Sequence, residues 1–120
     1  MLKLIEGLPQ GAVGVEAVGR LSANDYRQVL DPAITRAMEQ TGRIRILIVF
    51  GDAFEGFDAG AAWEDSKVGF GNWKAWERIA VVTGHGWMRD AIRAFGWMSP
   101  GEVRVFEPAD RAAAEVWIAE

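Results

Sequence analysis

The run Ile46-Leu47-Ile48-Val49-Phe50 lies near the middle of the chain and carries no polar side chain. Five residues are too few for an independent helix, and they are too evenly apolar for a strand with one wet face. They suit a strand covered on both faces, as in the interior of a parallel sheet. Parallel neighbours cannot be joined by tight turns and need crossover connections, usually helices. Helical patterns are present on both sides of this run.

Upstream, Leu2 to Glu6 and Val13 to Arg20 read as strands joined by a short turn at Pro9 and Gly11, so they form an antiparallel pair. Ser22-Ala23-Asn24-Asp25 resembles a capping box. After it, Tyr26, Val29, Leu30, Ala33, Ile34, Ala37 and Met38 recur at helical spacing up to Gly42. Pro32 interrupts this stripe and predicts a kink, with Asp31 as a local cap. Downstream, Gly51 to Phe57 reads as a loop and Asp58 as the cap of a helix reaching about Trp73. A strand follows from Ile79 to Thr83. The next helix, Gly86 to Phe95, carries Met88, Ala91, Ile92 and Phe95 on its inner side. Pro100-Gly101 turns the chain into a strand from Glu102 to Phe106. Pro108 opens a last helix with Ala109, Ala112, Ala113, Val116 and Trp117 on one face. This order implies an α/β fold: a mostly parallel, mixed five-stranded sheet whose first strand is antiparallel, with about four helices on both sides. One domain over residues 1–120 is expected.

Charge narrows the function classes. Thirteen Lys and Arg against seventeen Asp and Glu give a net charge of −4, the wrong sign for nucleic acid or an anionic membrane surface. Asp52, Glu55, Asp58, Glu64 and Asp65 fall within Gly51 to Asp65, which holds no Lys or Arg. Taking those five from the seventeen leaves twelve acidic residues against thirteen basic ones, so the excess acidity belongs to that segment. Glu6, Gly7 and Pro9 interrupt the apolar start, which is not the pattern of a signal peptide. No apolar run approaches the roughly 20 residues of a membrane span. With no cysteine in the chain, these features lead to the expectation of a cytoplasmic protein without stable membrane insertion.

Catalytic signatures are absent. Gly69-Phe70-Gly71 and Gly84-His85-Gly86 lack the third glycine of a dinucleotide fingerprint, and no Gly-Lys-Ser/Thr sequence exists. No serine sits in a Gly-x-Ser-x-Gly elbow. His85, the one histidine, falls at a strand end where α/β folds bind ligands, and reads either as a loop residue packed beside Trp87 or as an acid–base group. The acidic segment lacks EF-hand spacing, and its carboxylates read as surface groups at a helix start rather than metal ligands. No catalytic residue, metal or cofactor is therefore assigned. Phe54, Phe57, Trp63, Phe70 and Trp73 read as core, or as the lining of an apolar cavity together with the Trp87 to Trp97 unit. The surplus tryptophan is also compatible with a symmetric homodimer.

Several blocks together resemble a known family. They are Phe57-Asp58-Ala59-Gly60-Ala61-Ala62-Trp63-Glu64-Asp65, Trp76-Glu77-Arg78-Ile79-Ala80-Val81-Val82-Thr83, Ala94-Phe95-Gly96 and Pro100-Gly101-Glu102-Val103-Arg104-Val105-Phe106. In this order they resemble the small SpoIIAA-like proteins of bacteria, related to the STAS domain of anti-sigma-factor antagonists and, in fold, to CRAL-TRIO lipid carriers. The resemblance implies a STAS-like domain without enzymatic activity. In anti-sigma-factor antagonists a Ser or Thr at the helix start after the third strand is phosphorylated. Here Gly51 to Asp65 contains no hydroxyl, so no such switch is expected. The leading expectation is a binding module that recognises a protein partner through Asp52, Phe54, Phe57, Asp58 and Trp63, with His85 and Trp87 nearby. The alternative is a carrier of a small apolar or lipid-like ligand.

Overall fold

The central apolar run becomes the middle strand of a five-stranded sheet, in a computed structural model that describes residues 1–8, 11–60, 75–98 and 101–120. The strands are β1 (Leu2–Leu4), β2 (Ala12–Leu21), β3 (Ile44–Phe57), β4 (Trp76–Thr83) and β5 (Glu102–Phe106), adjacent in that order. β1 runs antiparallel to β2, and every other pair is parallel. β1 is shorter than the expected Leu2 to Glu6, and β4 begins three residues before Ile79.

Alternation along β3 sends its side chains into two separate cores. Ile44, Ile46 and Phe50 face one side with Val15 and Val81. Leu47 and Val49 face the other with Ala80 and Val82. A sequential parallel order with right-handed crossovers places the connecting helices on one face. α1 (Ala23–Asp25) leads into the turn Tyr26–Leu30 and α2 (Asp31–Thr41), and these two, with α3 (Gly86–Phe95), accordingly cover the first core. After β5 the chain turns through Pro108–Asp110, and α4 (Arg111–Ala119) packs Ala114, Trp117 and Ile118 onto the second. No described helix is long and apolar enough to cross a membrane.

The capping box forms as read. The Ser22 amide and hydroxyl donate to Asp25 Oδ2 at 2.8 and 3.0 Å, and the Asp25 amide donates to Ser22 Oγ at 3.4 Å. Burial pushes the Asp25 carboxyl up, but the Ser22 hydrogen bonds and the N-terminal ammonium 3.5 Å away outweigh it and hold it below its ordinary value. Gly42 closes α2 with φ 72°, its amide donating to the Met38 carbonyl.

Three expectations are corrected. Asp31 does not cap a kink; it lies in helical conformation, and its amide donates to the Tyr26 carbonyl across a π turn, Tyr26–Leu30. That wide turn restarts the helix, so Pro32 falls in the first turn of α2, where it has no amide partner to lose. Gly51 to Phe57 is not a loop but the continuation of β3, pairing Phe54 with Gly19 and Phe57 with Leu21 through bulges. Gly19 at φ 66° and Gly56 at φ 126° supply the irregular backbone, and the inserted residues break the period of two that would have marked a strand. In α4 the buried stripe is Ala114, Trp117 and Ile118, while Ala109, Ala112, Ala113 and Val116 are exposed. The 3-10 turn at Pro108–Asp110 shifts the helix start to Arg111 and thereby its phase. Of the helix expected from Asp58 to Trp73, Ala59 and Gly60 are helical; the remainder lies outside the described residues.

Two arginines dock the end of α4. Arg78 Nη1 donates to the Trp117 carbonyl at 2.7 Å and Arg45 Nη1 to the Ile118 carbonyl at 3.3 Å, placing cations where the helix dipole is negative. Arg78 also lies 5.0 Å from the Trp117 ring centre. Glu77 holds both Arg45 and Arg43.

Candidate functional site

The face covered by the π turn, α2 and α3 is incompletely filled. A partly open cavity of about 410 Å³ lies on the sheet there. Its floor is a row of facing β-branched residues, Val15, Ile48 and Val81, aligned by the parallel register of β2, β3 and β4. Ile79 and Val103, opposite one another on β4 and β5, extend it. Tyr26 and Leu30 form one wall from the two ends of the π turn, and Met88, Ala91 and Ile92 form the other from α3. No described lining residue carries a formal charge. Such a surface offers shape and apolar area rather than chemistry.

The expected site residues separate into groups. Phe57 lines the cavity, and Trp87 stands at its rim, 60% exposed. Phe54 is buried behind the wall, packed edge-on against Phe50 at 4.8 Å, Phe57 at 5.3 Å and the His85 ring at 5.7 Å. His85 Nε2 lies 3.2 Å from the Gly51 carbonyl. A carbonyl only accepts, so this nitrogen carries the proton. The His85 amide donates to Thr83 Oγ1 at 3.0 Å. His85 thus ties the α3 start to β3. Asp52 is exposed, and the half-buried Asp58 donates its amide to the Leu21 carbonyl at 3.0 Å. Trp63, like Phe70, lies outside the described residues. Trp97, expected to line a cavity with Trp87, is instead 81% exposed and donates its indole N–H to the Ala94 carbonyl. It sits in the short 3-10 turn Gly96–Met98, which carries the chain away from the end of α3.

Sequence reasoning missed Tyr26, Leu30 and the strand floor. Their signal was present, since Tyr26 and Leu30 belong to the apolar stripe, but a stripe does not reveal that part of it borders empty space. Among the described residues, no three of His, Asp or Glu converge as a metal site would need.

The model of the SpoIIAA-like family matches residues 12–119, nearly the whole chain. The chain belongs to the SpoIIAA-like family. A solved structure agrees: an uncharacterised DUF3478-family protein from Shewanella loihica PV-4, with a SpoIIAA-like fold, is 28% identical and superposes with a TM-score of 0.78. That likeness covers 98% of this chain and 92% of the other. No curated protein matches the chain. Within the SpoIIAA-like fold, the cavity lies on the face that carries the crossover helices α2 and α3, while on the α4 face Ala114, Trp117 and Ile118 are buried in the second core.

Proposed function

We propose that this SpoIIAA-like protein is a non-enzymatic binding module that holds a small apolar ligand on the sheet face between the π turn and α3. The cavity carries this reading: about 410 Å³ is within the range of small-molecule sites, and its described lining is apolar throughout. His85 supports binding rather than turnover, because its ring is engaged by the Gly51 carbonyl and packed on Phe54. The test is fluorescence titration with the neutral dye N-phenyl-1-naphthylamine, accompanied by native mass spectrometry of freshly purified protein. Saturable one-to-one binding is expected. Ala91→Trp, which fills the wall from an exposed helical position, should weaken it by at least about tenfold, or ~1.4 kcal/mol. Trp97→Ala, outside the wall, should leave it unchanged. Absence of saturable binding, or equal losses in both variants, refutes the reading.

A protein partner is the second reading, favoured by the exposed Asp52 and Glu55 at the C-terminal end of β3, the end of the strands where α/β folds gather ligands. Phe57 and Asp58 adjoin them, whereas the buried Phe54 would act only through the fold. Reversing Asp52 and Glu55 to Lys in a folded variant should abolish capture of that partner if the carboxylates form the surface. Undiminished capture discards it.

A further inference from the structure

β5 ends the sheet, and among the described residues no strand pairs with its outer side. The opposite edge, β1, has only three residues. β5 has five, pairs with β4 without a bulge and contains no proline. Edge strands are usually kept from pairing by bulges, prolines or charges that repel a second strand. The charges on β5 do the reverse. Exposed Glu102 and Arg104 alternate with half-buried Val103 and Val105, so opposite signs stand two residues apart on one face.

A two-fold axis perpendicular to a sheet pairs an edge strand with its own antiparallel copy, and residues directly opposite then share a face. Centring the axis on Val103 sets Glu102 opposite Arg104 of the partner subunit, twice by symmetry. Centring it on Arg104 opposes two guanidinium groups, and centring it on Glu102 opposes two carboxylates. One register is thus selected by charge. The groups are prepared for it: Arg104 is held 5.4 Å from the Trp117 ring and 5.5 Å from the Phe106 ring, and Glu102 forms no ion pair with a described residue. Ordering Arg104 beforehand lowers the entropy lost when a carboxylate meets it.

We propose that β5 is a self-recognition edge, on which two copies of this chain pair antiparallel about Val103 into one continuous sheet. The occupant is a second copy because Glu102-Val103-Arg104 is complementary to its own reverse. Val103, on the axis, also borders the apolar cavity, but the two groups that select the register, Glu102 and Arg104, lie outside its lining.

The test is sedimentation velocity of the full chain over a range of concentrations. Wild type should show a concentration-dependent dimer. E102R sets four cations in the register and R104E four carboxylates, and each should weaken association by at least about tenfold. E102R/R104E together restore complementarity within the same chain and should recover most of the dimer. Both positions are exposed, so the fold should persist, as circular dichroism can verify, and E102R leaves the stacked Arg104 intact. A monomer at every concentration overturns the proposal. So does a dimer indifferent to the single reversals, or one the double reversal fails to restore.

Discussion

Replacing Arg78 with Met isolates what fastens α4 to the sheet. The side chain is 24% exposed, donates to the Trp117 carbonyl at 2.7 Å and lies over the Trp117 ring at 5.0 Å. Met preserves most of the buried stem, so the loss should come chiefly from the guanidinium. A hydrogen bond from a charged donor contributes about 1.5–3 kcal/mol. The cation–π contact contributes about 0.5–1 kcal/mol and the helix dipole about 0.3–1 kcal/mol. These terms overlap because one group makes all three, and the ion pair to the exposed Glu120 at 3.6 Å adds little. A net loss of about 2–3 kcal/mol is expected. The assay is urea unfolding followed by tryptophan fluorescence, with a lower midpoint at an unchanged slope. Arg78→Lys should fall between Met and wild type, since it retains charge without the planar fork. A loss below about 0.5 kcal/mol for Arg78→Met would refute the assignment, because that is the range of an ordinary surface substitution. Binding of the apolar dye should be unchanged, as Arg78 lies away from the cavity lining.

Asp25→Asn should destabilise the protein at neutral pH. The folded carboxyl titrates below its ordinary 3.8, so its stabilising contribution is complete above that value and is lost as pH falls through the folded pKa. The stability gap between wild type and variant, measured by urea unfolding, should therefore close as the pH falls from about 6 through the folded pKa. Gly101→Ala should cost about 1–3 kcal/mol by overpacking. A Cβ there would lie 3.2 Å from backbone atoms of Glu77, which cannot rotate away, and thermal unfolding reports the loss.

Strands were legible wherever a continuous apolar run or an undisturbed alternation marked them. Ile46 to Phe50 marked the middle strand, Glu102 to Phe106 the last, and the spacing of Leu2 and Val13 the antiparallel pair. The misreadings share one cause, local geometry that changes the count of residues per repeat. Bulges at Gly19 and Gly56 hid the second half of β3, a π turn replaced the expected kink at Pro32, and a 3-10 turn rephased α4. Each adds or removes a fraction of a turn that periodicity alone cannot register. For the candidate site, Phe57 and Trp87 were legible as aromatics near the end of the sheet. Tyr26, Leu30 and Val15 were not, because a residue beside a void and one in a filled core obey the same pattern.

The π turn has a consequence for how this chain tolerates changes of length. A π turn accommodates one residue more than an α turn. Deleting a residue between Tyr26 and Leu30 would regularise the helix, but it would rotate everything before it by about 100°. Ser22 and Asp25 would then swing away from the end of β2, and Tyr26 would leave the cavity wall. A shortened chain would thus gain helical regularity at the expense of the wall itself. Natural variation in length should accordingly be far scarcer at these five positions than in the turn after β1.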